Sequence, residues 1–292
     1  MSISEFPVSD RSAGPYGICV GPDRALWFTL VHYGQIGRLG ADGRITGWQL
    51  ASAAVGPMVI TAGPDDAVWF TQSPGNAIGR IGRSGERSSF PLPGADSAPY
   101  GIAAGRDDAL WFTELNTDRI GRIGVDGSIS EYPLPMTGAV PSAIAAGADG
   151  AMWFTLNQAN AIGRIDNEGR IVVFPLPTEG AGPVGITAGP DGAMWFAEIA
   201  AGQIGRITPG GRIDEMPLPD RGARPHAITR GVAGDCWFTE WGANRIGRID
   251  GEGRISVHAL PTPGSEPHGI TVGPDGAVWA ALETGALARV GS

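Results

Sequence analysis

The sequence predicts an all-β protein, a seven-bladed β-propeller with four-stranded blades, and three observations lead there. Trp27, Trp69, Trp111, Trp153, Trp195, Trp237 and Trp279 recur at a spacing of 42 residues. Each repeat holds four short apolar segments separated by Gly, Pro and Asp, and four strands in about 40 to 45 residues is the length of one propeller blade. A second column, Phe6, Trp48, Phe90, Tyr132, Phe174, Met216 and His258, keeps the same spacing but starts before the first repeat.

The innermost strand of each blade is a Gly-Ile-x-Ala-Gly segment opened by a proline, as at Pro99 to Gly105. A Pro-Asp-Gly type of turn leads to the second strand, which carries the repeat tryptophan within Ala-x-Trp-Phe-Thr. The third strand is Ile-Gly-Arg-Ile, as at Ile120 to Ile123. An Asp-Gly or Glu-Gly turn then gives the fourth, which ends in Pro-Leu-Pro. The chain stops after the third strand of the seventh unit, near Ala288 to Val290, so residues 3–8 are expected to supply the missing outer strand and close the ring. Closure removes the free sheet edges that invite aggregation. Residues 1–292 are expected to form a single domain, since the length is seven blades of 42 less two. The 47 glycines and 24 prolines are then turn punctuation and not low complexity.

Charge excludes one class of partner. With 30 acidic against 21 basic residues, the chain has no cation excess to displace counterions from a phosphate backbone, so nucleic acid is not expected. No apolar run reaches the 18 residues of a membrane span, and the opening MSISEFPVSD has no apolar core of a secretory signal. Cys19 and Cys236 show no metal spacing or disulfide framework. These readings predict a cytoplasmic monomer that acts on a small molecule, without a membrane partner.

Repeated positions cannot all carry chemistry, so function is sought where the repeat breaks. The residue after the strand-opening proline runs Tyr16, Met58, Tyr100, Ser142, Val184, His226, His268. The residue before that proline runs Gly14, Gly56, Ala98, Val140, Gly182, Arg224, Glu266. Four past each repeat tryptophan stand Val31, Ser73, Leu115, Asn157, Ile199, Trp241, Glu283. Equivalent positions form rings, and in an antiparallel pair the exit of the second strand meets the entry of the first, so all three rings should surround one channel mouth. The unusual members fall in blades six and seven, with Tyr16 beside them across the closure. His32 lies near the same rim without a role of its own. Tyr100 is a weaker contact candidate. His258 is expected to be peripheral, and Glu114, Glu198 and Glu240, three past their tryptophans, read as generic rim charges.

These residue types bound the chemistry. Glu266 and Glu283 suit a hard divalent cation, and Mg²⁺ takes one or two carboxylates while keeping several waters. A neutral histidine beside such a site can serve as a general base. Trp241 and Tyr16 offer flat faces to a bulky ligand. No nucleophile elbow, phosphate loop or cysteine cluster accompanies them. The pattern points to metal-assisted proton abstraction.

The repeats of GPDGAMWFTE, IGRI and PLP, with EPHGITVGPDGAVW at Glu266 to Trp279, RPHAIT at Arg224 to Thr229 and Ala281 to Glu283, closely resemble the virginiamycin B (streptogramin B) lyases over the whole chain. The resemblance implies a Mg²⁺-dependent lyase that linearises cyclic streptogramin B antibiotics by eliminating across the ring-closing ester, and so confers antibiotic resistance. It implies Glu266 and Glu283 as metal ligands, His268 as proton acceptor, His226 as a substrate contact, and Tyr16 and Trp241 as lining of the aromatic pocket. A ligand-binding propeller without catalysis, or a metal-dependent lactonase or esterase, are the alternatives. One departure within the chain stands out: Leu287 follows its tryptophan by eight residues where Ile246 follows by nine, so the loop after Glu283 is one residue short.

Overall fold

The structure is a computed structural model and describes residues 1–291. Seven four-stranded sheets follow one another, each antiparallel and each numbered from the innermost strand outward. Blade one comprises Pro15–Val20, Leu26–Leu30, Gln35–Leu39 and Ile45–Gln49, and blades two to six repeat that order. Blade seven has Pro267–Val272, Val278–Leu282 and Ala286–Gly291, and its outer strand is Ser2–Pro7. The closing pair runs from Ser2 opposite Gly291 to Pro7 opposite Ala286. The closing strand thus starts and ends one residue before the span expected. Val8 leaves the ladder and instead donates its N–H to the Gly285 carbonyl at 2.9 Å.

The repeat tryptophans are 0–7% exposed, yet each carries an indole N–H that needs a partner in the core. An aspartate supplies it. Asp23, Asp65, Asp107, Asp149, Asp191 and Asp275 accept the indole N–H with one oxygen, at 2.9–3.3 Å, and the guanidinium of the Ile-Gly-Arg arginine with the other. In blade six Ala233 stands where that aspartate would be, and Asp235, only two residues before Trp237, makes both contacts. The Pro-Asp-Gly turn and the Ile-Gly-Arg strand are therefore two ends of one latch. On the outer side Trp48, Phe90, Tyr132 and Phe174 stack on the repeat indoles at 4.8–5.6 Å between centroids.

Two backbone features set the mouth of the channel. Every inner strand carries a register shift just after its opening proline, so that in blade seven His268 and Gly269 together oppose Ala281. Such a bulge re-aims a side chain. In blades one to four and six a threonine two past the tryptophan bonds the next blade's inner strand; Thr239 donates to the His268 carbonyl at 2.9 Å. The residue before each opening proline has positive φ in all seven blades, from 48° at Glu266 to 64° at Gly14.

Candidate functional site

The three rings meet as their spacing predicts. The N–H of the residue four past the tryptophan donates to the carbonyl of the residue before the proline in every blade, as Trp241 does to Arg224 at 3.1 Å. Glu283 donates its N–H to Ser265 at 2.9 Å and Glu266 at 3.4 Å. Arg224 and Glu266 occupy left-handed backbone, with φ of 52° and 48°, where three of the other five members are glycine. A long side chain there costs about 1–2 kcal/mol, and such strain collects at functional positions.

His268, Glu266 and Glu283 bring one ligand atom each within 4.8 Å of one another. His268 is 8% exposed, and its Nε2 lies 2.6 Å from Oε2 of Glu283. The other oxygen of Glu283 is 3.2 Å from Nε2 of His32, which reaches across the ring closure from blade one. Burial pushes the Glu283 carboxyl up, but the hydrogen bonds and charges of His268 and His32 outweigh it, so the group sits below the ordinary carboxylate value. Burial also pushes His268 below its ordinary value of 6.5, against the opposing pull of Glu283 and Glu266. His226 is driven down to about 3 by burial and by neighbouring His268, so it is neutral in any working buffer.

Aromatic rings frame this cluster. Tyr16 packs on the His268 imidazole at 4.4 Å, and His226 meets His268 edge-on at 5.3 Å. The indole N–H of Trp241 donates to Oε2 of Glu266 at 3.3 Å, while the guanidinium carbon of Arg224 lies 5.4 Å from the Trp241 ring centre. All six residues picked from the sequence, Tyr16, His226, Trp241, Glu266, His268 and Glu283, thus lie in one chain of contacts at one mouth.

The sequence profile described as the Virginiamycin B lyase family matches residues 1–290. The chain belongs to the virginiamycin B lyase family. A virginiamycin B lyase from Staphylococcus aureus has the same fold with 45% identity and a TM-score of 0.95, the match covering 99% of this chain and 98% of that one. A structure described as streptogramin B lyase matches at 46% identity and a TM-score of 0.96, over 99% of this chain and 96% of its own. A catalytically inactive variant of the S. aureus enzyme is known with quinupristin. Among curated relatives, the virginiamycin B lyase of Streptomyces coelicolor is 59% identical over 46 residues, a segment spanning 15% of each chain. Members of this family are enzymes named as lyases, and their shared fold is the propeller described above.

The donor set found here fits a hard divalent cation: two carboxylates and an imidazole converge, with Glu266 exposed. Two expectations change. Glu114, Glu198 and Glu240 are not rim charges; all three are 0% exposed, because they are the last residues of second strands and are paired on both sides. Each bonds a neighbour with one oxygen, Thr117, Gln203 or Arg245, and leaves the other oxygen buried without a partner. His32 is the site residue that single-column reading missed. Its signal lay in a pair of columns: a Cβ on Gly14 would come within 2.5 Å of the His32 ring, so the glycine makes room for it. Blade six inverts the pair, with Gly242 making room for Arg224, whose side chain a Cβ there would meet at 3.2 Å.

The shortened loop also has a structural cause. Blade seven turns through Glu283, Thr284 and Gly285 between the paired Leu282 and Ala286, where blade six uses four residues between Glu240 and Arg245. Val8 and Ser9 both donate to the Gly285 carbonyl, at 2.9 and 3.1 Å, so the closing strand pins the loop that carries Glu283. His258, expected at the periphery, stacks on Trp237 at 6.1 Å in the outer strand.

Proposed function

We propose that the protein linearises cyclic streptogramin B depsipeptides by eliminating across the ester that closes the ring, with Mg²⁺ held by Glu266 and Glu283, and that this confers resistance to such antibiotics. The observation that supports this reading most is the convergence of Glu266, His268 and Glu283 within 4.8 Å in a chain of this family. Oxygen donors suit Mg²⁺ better than nitrogen, which leaves His268 free to act on a proton. Polarisation of the carbonyl beside the scissile C–H is the chemistry that a cation bound there supplies.

In this reading Nε2 of His268 takes the proton from the carbon alpha to that carbonyl. The electrons of the broken C–H bond form a carbon–carbon double bond, and the bond from the beta carbon to the ester oxygen breaks. The carboxylate leaves with its oxygen, so no water is consumed and the open chain is an isomer of the ring. Nε2 faces the Glu283 carboxylate at 2.6 Å and Nδ1 is buried without a partner, so proton acceptance at Nε2 would require the ring hydrogen on Nδ1 and a Glu283 carboxylate engaged in holding the cation. His226 is neutral and lines the mouth as a substrate contact, with Tyr16 and Trp241 beside it for the aromatic parts of the depsipeptide. The same reading takes the protein as a cytoplasmic monomer whose partner is this small molecule.

Mass spectrometry of a streptogramin B compound incubated with the protein tests the proposal. A linear product of unchanged mass, lost with EDTA and lost in His268→Ala with its fold intact, is the expected result. A gain of one water would make the protein a hydrolase. Binding without any product would make it a receptor, and near-normal turnover in His268→Ala would remove the histidine from its role.

A further inference from the structure

Three members of the ring that follows the opening prolines, from blades one, three and six, are joined across the channel. The Tyr16 and Tyr100 hydroxyls lie 2.5 Å apart, and the Tyr16 hydroxyl is 3.5 Å from Nε2 of His226. Below them the channel is a cavity of about 160 Å³ walled by Ile18, Ile102, Ile144, Ile186, Ile228 and Ile270. Among the described residues, the Tyr100 hydroxyl has Tyr16 as its side-chain partner, and the isoleucine wall beneath offers no other. Burial raises both phenols above their ordinary value, so both keep their protons.

Tyr16 is the ring that covers the face of His268, at 4.4 Å and tilted by 33°. A phenol hinged at its inner-strand backbone, with an apolar cavity below it, needs something to hold its far end toward the mouth. We infer that Tyr100 is a positioning residue: its hydroxyl anchors Tyr16 against His268 and thereby fixes the imidazole plane that presents Nε2 at the mouth. Tyr100 touches neither the acidic cluster nor, in this arrangement, the base itself; it acts from blade three through Tyr16. The inference deepens the reading of His268 as the base and rests on it.

Tyr100→Phe removes the hydroxyl and leaves the ring that fills the throat. A neutral hydrogen bond of ordinary net strength corresponds to roughly a 3- to 10-fold loss in kcat, with KM within about twofold because the binding surface keeps its shape. Tyr16→Phe should lose at least as much, since it also removes the hydroxyl that faces His226, and the double variant should lose no more than Tyr16→Phe alone, because both substitutions delete the Tyr16–Tyr100 bond. In parallel, side-chain NMR of ¹⁵N-labelled histidine should show the His268 ring signals displaced in Tyr100→Phe and unchanged in Met58→Leu, a substitution in the same ring on blade two. Unmoved His268 signals with unchanged kcat, or losses that multiply in the double variant, would overturn the inference. If the wild-type protein yields no elimination product, the functional reading fails, and the histidine signals still decide whether Tyr100 positions His268.

Discussion

Glu198 offers a test in which burial sets the sign. Its side chain is 0% exposed at the end of the second strand of blade five, bonded at 2.5 Å by the Gln203 amide. Burial raises the carboxyl from 4.5 to about 7, with the Gln203 bond opposing the rise and Glu215 adding to it. Between pH 4.5 and 7 the unfolded chain releases this proton while the folded chain keeps it. Stability from this group is therefore greatest at acid pH, falls as pH rises through that window, and levels off above about 7. A displacement of about 2.5 units is worth about 3 kcal/mol. Glu198→Gln keeps the shape and lets its carbonyl accept the same Gln203 bond. Relative to wild type the variant should gain about 3 kcal/mol in going from pH 4.5 to pH 8, equivalent to about 5 °C in Tm for a chain of this size. Thermal melts of both proteins at half-unit steps of pH read this directly. A difference in Tm that stays constant across pH 4.5 to 8 would refute the assignment of a buried, proton-holding carboxyl.

Three further outcomes concern the mouth. Glu283→Gln replaces a carboxylate that His268 and His32 both contact, and Mg²⁺ affinity measured by calorimetry should fall at least about tenfold; undiminished affinity would take Glu283 out of the ligand set. Because burial holds His268 below 6.5, its neutral, proton-accepting form persists above that depressed value, and kcat should decline only as pH drops below about 6.5. An acid limb centred above 6.5 would contradict this. Trp241→Ala removes the donor to Glu266 and a flat face at the mouth, and kcat/KM for the depsipeptide should fall about tenfold, chiefly through KM; a change confined to thermal stability would make Trp241 scaffold only.

The architecture was legible because one physical unit is written seven times. Spacing of the tryptophans gives the blade, and the aromatic that precedes the first repeat gives the closure, since Phe6 is the outer-strand partner that blade seven lacks. What spacing did not convey is why aspartate and arginine recur with each tryptophan. A buried indole N–H needs an acceptor, the aspartate that supplies it needs a counter-charge, and Arg38, Arg80 and their equivalents provide it from a strand that is separated in sequence. The same blindness to burial misplaced Glu114, Glu198 and Glu240. Charge in a rim column reads as solvated until strand pairing on both sides shows that water is excluded.

The site was legible to the extent that its members broke their columns, and was hidden where one column acts through another. Glu266 and Glu283 stood out because acids replaced small or apolar residues. His32 did not, because its reach depends on the missing Cβ of Gly14 and on a loop held in blade seven by Val8 and Ser9. Both dependences meet at the ring closure, the one junction where the first and last blades face each other. A closing strand that only completed a sheet would leave the mouth as it found it. Here the segment that follows it fixes Gly285, two residues from Glu283, so the step that seals the propeller also sets the carboxylate between His268 and His32.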